Sequence, residues 1–193
     1  MKKGIIILIA AIVVIGIWFM GGYNSMVSSE EKVEAAWSQV ENVYQRRMDL
    51  IPNLVATVKG YAEHESETFE NVINARSKAT QVTVSPENLS PEELSQFNKA
   101  QGEISSALGR LMMITENYPD LKANQNFSEL QAQLEGTENR ITTERMKFNE
   151  CAKEYNTLIR KFPRSIIASV FGFERKGYFE AQEGAQNAPV VEF

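Results

Sequence analysis

The chain has 193 residues, with 20 basic and 25 acidic side chains, one histidine and one cysteine. Set aside an N-terminal apolar stretch and the rest is still long enough for one domain with its own core. Lys2 and Lys3 are the only charges ahead of that stretch, so the remainder is more acidic than the net −5 of the whole, which argues against a nucleic-acid partner.

Residues 4–22 read GIIILIAAIVVIGIWFMGG, with no charge from Ile5 to Met20. At a helical rise of about 1.5 Å per residue, such a run crosses most of a ~30 Å hydrocarbon layer. A helix satisfies its own backbone, which lipid cannot do for it. Trp18, Phe19 and Tyr23 fall where the chain would leave the bilayer, as interfacial aromatics do. A cleaved signal peptide is the rival reading. Against it stand the length of the run and the large residues where small ones precede a cleavage site. The sequence therefore predicts a retained anchor over 1–22 that contacts the lipid bilayer through residues 5–20. Lys2 and Lys3 on one side, against Glu30, Glu31 and Lys32 on the other, favour a cytoplasmic N-terminus in the inner membrane and a bundle outside the cytoplasm.

From Tyr23 to Ala79 the apolar residues keep one phase, through Met26, Val33, Trp37, Val40, Tyr44, Ile51, Leu54, Val58, Tyr61, Phe69 and Val72, with Arg76 in the same line. The period is close to 3.5, which is helical. Pro52 sits mid-stretch. The unbroken phase predicts a kink in one long helix reaching about residue 80, and a break with Pro52 opening a second helix is the alternative. Ser28 with Glu31 reads as a capping box that would restart the helix beyond Gly21–Gly22. Residues 80–90 lose the pattern and read as a loop. Ser90, Pro91 and Glu93 then mark a sharp helix start. This second helix uses Leu94, Phe97, Ile104, Leu108, Leu111 and Ile114 and should stop near Tyr118, before Pro119. Asn126 with Glu129 predicts the cap of a third helix, which buries Leu130, Leu134, Ile141, Phe148, Ala152, Tyr155, Ile159 and Phe162. Pro163 ends it and opens a short fourth through Ser165–Phe171. Residues 180–193 have no pattern and read as a flexible tail. The expected fold is all-α: a single N-terminal transmembrane helix, then an elongated antiparallel helical bundle over 23–179 with three long helices plus a short fourth.

Several stretches together resemble the LemA family. They are Tyr23–Asn24, RRMDLIPNLVATVKGYAEHE from Arg46 to Glu65, NARSKA around Arg76, and ENYPDLKANQNFSELQ from Glu116 to Gln131. TENRI from Thr137 to Ile141, Glu144–Arg145, Phe148–Asn149, Tyr155–Asn156, Phe162–Pro163 and Gly177–Phe179 complete the set. The resemblance spans nearly the whole chain. It implies a single-pass membrane protein with an antiparallel helical bundle, and it favours Pro52 lying inside a long helix. It brings no biochemical activity with it.

One histidine cannot furnish the paired Glu-x-x-His motifs of a di-iron bundle or a Cys/His zinc site. No Gly-rich phosphate loop, G-x-S-x-G elbow or H-E-x-x-H occurs. No enzyme activity, cofactor or metal is expected. His64, among Glu63, Glu65 and Glu67, reads as a solvated surface residue. The lone thiol, Cys151, reads as a small core residue or as one half of an intermolecular disulfide. Arg47, Glu138 and Arg145 fall on or near the apolar stripes, where burial demands partners. With Glu116 and Asn149 they are expected to form an internal polar network that fixes helix register. A small-ligand or peptide site is the alternative. Phe171, Phe173, Tyr178 and Phe179 surround Arg175 and Lys176 as either a membrane-surface element or a cap on the bundle core. Alternating helix directions would put them far from the anchor, which favours the cap.

A first helix to residue 80 would be roughly 85 Å long, and the second roughly 42 Å. The membrane-proximal half of the first would then lack a partner, leaving Met26, Val33, Trp37, Val40 and Tyr44 uncovered. An apolar stripe of that length is seldom left in water. The sequence reading is thus a non-enzymatic, membrane-anchored scaffold or interaction protein, homo-oligomeric through this stripe, with other membrane proteins as further partners. A sensor or ligand-binding module built on the interior polar groups is the runner-up.

Overall fold

The computed structural model describes residues 2–180, so residues 181–193, most of the expected tail, lie outside the described residues. The elements are α1 (Lys2–Lys59), α2 (Ser66–Gln81), α3 (Pro91–Thr115), α4 (Pro119–Lys122), α5 (Gln125–Arg160) and α6 (Arg164–Phe171), with no strand among the described residues.

The apolar anchor and the first core helix are one element. Between Ile5 and Met20 every side chain is exposed except Phe19, which is half-buried. Gly21, Gly22 and Ser28 are all helical, so the expected restart at a Ser28–Glu31 box does not occur. Pro52 also lies inside α1, with its ring on the exposed side. A proline cannot donate to the carbonyl four residues back. Here Arg76 Nε donates to the Met48 carbonyl at 3.1 Å, supplying the bond that Pro52 leaves open.

The expectation of one helix to residue 80 is corrected. α1 ends at Lys59, Ala62 N–H closes onto the Val58 carbonyl at 3.0 Å, and the chain reverses over residues 60–65. α2 then runs back along α1, which brings Arg76 beside Met48. The apolar phase survives the reversal because both helices face one core. A period reports which face is buried, not which way the chain runs.

α3 runs away from the anchor. Ser90 Oγ accepts from Glu93 N–H at 3.2 Å, and Pro91 occupies the first turn, as the sequence indicates. α3 stops at Thr115, short of Tyr118, and Pro119 opens the single-turn α4. Asn124, not Asn126, caps α5, accepting from Phe127 N–H at 3.0 Å. α5 descends along α1 toward the membrane, its register fixed by Arg47 with Glu138, Trp37 with Phe148 and Glu30 with Tyr155. The bundle therefore has two outward columns, α1 and α3, and two inward ones, α2 and α5.

α6 reaches the membrane end of α1, where Phe171 packs on Phe19 and Tyr23 with ring centroids 5.9 and 4.8 Å apart. Residues 173–180 then climb back up the bundle as extended chain. Gly177 N–H donates to the Leu89 carbonyl at 2.8 Å, and a Cβ on Gly177 would sit 2.9 Å from Pro91 Cα, so only glycine admits this approach.

Two apolar clusters fill the interior. The membrane-proximal one centres on Trp37, Phe97, Phe148, Tyr155 and Phe179, and the distal one on Ile51, Leu54, Val58, Ile104 and Leu111.

Candidate functional site

Arg47 stands where the two clusters meet, between Tyr44 of one and Met48 of the other. Its residue is 1% exposed. A guanidinium at that depth needs its donors occupied. Nη1 donates to Glu138 Oε1 at 2.8 Å and to Ser105 Oγ at 3.0 Å. Nη2 donates to the Gln101 side-chain oxygen and, at 3.3 Å, to the Gln101 carbonyl. The Tyr44 ring lies beneath, 5.0 Å from Cζ to centroid. Thus one charged layer ties α1, α3 and α5 together, and it brings together Arg47 and Glu138. Gln101 and Ser105 carried no charge to mark them in the sequence.

Arg145 and Asn149 do not join that layer. They bind the climbing C-terminal segment instead. Asn149 accepts from Phe179 N–H at 2.8 Å and donates to its carbonyl at 2.9 Å. Asn156 does the same to Lys176, at 2.9 and 2.8 Å. Arg145 donates to the Glu180 carbonyl at 2.9 Å and covers the Phe179 ring at 4.7 Å. The spacing follows from geometry. Seven helical residues rise about 10.5 Å, and three extended residues span about 10 Å. Asn149 and Asn156 therefore meet Phe179 and Lys176 in register, which is how side chains on one helix hold an extended backbone. Glu116, the remaining expected member, is exposed at the C-terminal end of α3, outside either group.

Clamping the segment delivers two side chains inward. Phe179 stacks on Trp37 at 6.0 Å and meets Phe148 edge-on at 5.4 Å, while Phe97 closes on Trp37 at 5.2 Å. Lys176, 6% exposed, pairs with Glu30 at 2.8 Å and donates to the Glu87 carbonyl at 2.9 Å. Tyr155 points its hydroxyl at the same Glu30 carboxylate. Burial first, and that negative charge second, push its pKa well above the usual phenol range. Nothing in the sequence marked Lys176 or Glu30 as partners, because Glu30 lies 125 residues from Tyr155 and further still from Lys176.

The stripe Met26, Val33, Trp37, Val40 and Tyr44 is not a free surface. The first four are 0% exposed and Tyr44 is 4% exposed, covered by α5, the 82–90 connection, α3 and the climbing segment of the same chain. The expectation of an uncovered interface is corrected. Its premise was a first helix running to residue 80 where α1 ends at Lys59, which sent the last long helix away from the membrane when it in fact returns to it. Phe171 and Phe173 are likewise not remote from the anchor: both pack on Tyr23, at 4.8 and 5.6 Å. Phe179 does cap the core.

Cys151 is half-buried on α5, its thiol acidity lowered by burial and by Glu154 and Glu150, which all raise its pKa. His64 is exposed in the α1–α2 turn. Among the described residues no three His, Cys, Asp or Glu side chains converge as a metal site would require. A shallow groove of about 410 Å³ lies beside the climbing segment, lined by Pro91, Leu94, Asn98, Arg175 and Tyr178.

A family model described as the LemA family matches residues 36–193. The chain is similar to magnetosome protein MamQ 2 of Paramagnetospirillum magneticum, 29% identical over 186 residues, covering 88% of this chain and 68% of that one. The same figures hold for magnetosome protein MamQ of Magnetospirillum gryphiswaldense. Protein LemA of Metamycoplasma hominis is 26% identical over 175 residues, covering 89% of this chain and 76% of that protein.

Proposed function

The chain belongs to the LemA family, and from that premise we propose that it is a non-enzymatic scaffold of the bacterial cell envelope, anchored in the membrane by the first part of α1. The observation that carries this reading is the continuity of α1. One helix passes from an uncovered apolar run into the central column of the core, without a linker. From Gly22 to Lys59 that column rises about 55 Å at 1.5 Å per residue. An anchor built this way fixes the height and tilt of the surface above it, which a flexible tether would not. Removal of a leader ending near residue 22 would cut through α1 and strip the contacts of Phe19 and Gly22 with α6, which supports a retained anchor. Lys2 and Lys3 support an inner-membrane location with the bundle outside the cytoplasm.

The interior polar groups support a scaffold over a catalyst, since both Nη atoms of Arg47 and the side-chain amides of Asn149 and Asn156 are taken up by the chain itself. The core stripe is no longer available for self-association, so homo-oligomer contacts belong to the exposed faces. A sensor is the second reading, and one observation favours it. α5 already grips an extended peptide, its own residues 176–180, and an external peptide could compete for that grip.

Photocrosslinkers at the exposed Tyr61, Ile73 and Met113 in native membranes test the scaffold. It predicts the same protein adduct at neighbouring positions on the distal half. No adduct there, together with a melting shift of the purified protein on adding envelope peptides, would favour the sensor instead.

A further inference from the structure

We propose that α6 and the residue pair before it form a second membrane contact, lying on the bilayer surface beside the point where α1 leaves it. Three independent observations converge on the same patch.

The first is position. Ile167 packs over Gly22, where a Cβ would sit 2.6 Å from Ile167 Cδ1, and Phe171 packs on Phe19 and Tyr23. With the apolar run filling the hydrocarbon layer, Phe19 to Tyr23 stand at its edge, which puts α6 at headgroup depth.

The second is the chemistry of the outer face. Ile167 and Ala168 are buried against the bundle. On the other side Phe162, Ile166 and Val170 are 82%, 54% and 67% exposed. Ile166 and Val170 are four residues apart on α6 and form one ridge along it, while Phe162 stands in the turn just before the helix. A soluble protein has little reason to turn three large apolar side chains outward within one short stretch. Phe171, 52% exposed, continues that ridge toward the uncovered anchor.

The third is charge. Between Glu154 and Glu174 the chain has Arg160, Lys161 and Arg164 and no acidic residue, in a protein that is acidic overall. A short apolar ridge flanked by basic residues suits the boundary between acyl chains and anionic headgroups. Each added basic residue near such a surface contributes attraction that neutral lipid would not supply. Two contacts, the α1 span and the α6 ridge, would fix how the bundle leans on the membrane.

The test uses the full chain with Cys151→Ser, reconstituted in nanodiscs of phosphatidylcholine and phosphatidylglycerol at three to one. Nitroxides are attached at single cysteines replacing Phe162, Ile166 or Val170, all exposed, with Ile12 as the lipid reference and Lys153 as the water reference. Thermal unfolding confirms that each labelled protein is folded. The expected result is an oxygen-to-nickel-chelate collision ratio several-fold above that at Lys153 and approaching that at Ile12. A ratio equal to Lys153 overturns the proposal. So does shielding from both reagents, which would assign the ridge to a second copy of the chain.

Discussion

Replacing Arg76 with alanine strips the Met48 carbonyl of the guanidinium that compensates for Pro52. A hydrogen bond from a charged group contributes about 1.5–3 kcal/mol when buried. Arg76 is half-buried, so water recovers part of the loss, and the expected cost is about 1–2 kcal/mol. In a chain of this size that lowers Tm by about 2–8 °C. Pro52→Ala changes the sum. Alanine restores an N–H that can bond the Met48 carbonyl within α1, so the guanidinium is no longer needed there. In that background Arg76→Ala should cost under about 0.5 kcal/mol, a coupling of about 1 kcal/mol between residues 24 apart in sequence. The assay is urea unfolding of the four full-length proteins in detergent micelles, followed by circular dichroism. Equal cost of Arg76→Ala in both backgrounds would refute the reasoning, because the two side chains would then not share one carbonyl.

Other outcomes follow from the same contacts. Trp37→Ala should lower stability by about 3–5 kcal/mol, as cavity-forming core substitutions do, with a melting temperature independent of protein concentration; dissociation of an oligomer with unchanged unfolding would restore the interface reading. Trp37→Phe should cost far less, since a phenyl ring keeps much of the contact with Phe97, Phe148 and Phe179. Glu138→Ala leaves a buried guanidinium without its counter-charge and should cost about 2–3 kcal/mol, whereas Arg47→Met fills the same space without charge and should cost less by urea unfolding. Asn156→Ala releases Lys176 from its clamp, so trypsin should cut the folded protein after Arg175 or Lys176 faster than it cuts the parent. Cys151 has a raised pKa, hence less thiolate at neutral pH. Its alkylation by iodoacetamide should be slower than that of a free thiol and should keep rising with pH beyond the ordinary thiol range.

The anchor, the all-helical bundle and the Ser90–Pro91–Glu93 start were legible because each rests on local chemistry: an uncharged run, a helical period, a cap. Arg47 and Glu138 were legible as charges on apolar stripes, where burial demands a partner. The reversal at Gly60 was not, because Val58, Tyr61 and Phe69 keep helical phase across a turn that the period cannot detect. That one miss lengthened the first helix, turned α5 the wrong way and left Trp37 without cover. The climbing segment was illegible for a different reason. Its backbone bonds go to asparagine side chains on α5, and neither periodicity nor strand propensity records such a pairing. Gly177 carried the one local hint, a residue admitting close backbone approach in a segment with no helical pattern.

A bundle held at fixed height above the bilayer requires α1 to be a single stiff column. Spin labels at Ile12 and Asn53, in the full chain with Cys151→Ser in nanodiscs, measure this directly by pulsed dipolar spectroscopy. A straight helix predicts a narrow distribution near about 62 Å at 1.5 Å per residue. A broad distribution at shorter distances would place a hinge between the two labels, as at Gly21–Gly22, and contradict a bundle held at fixed height.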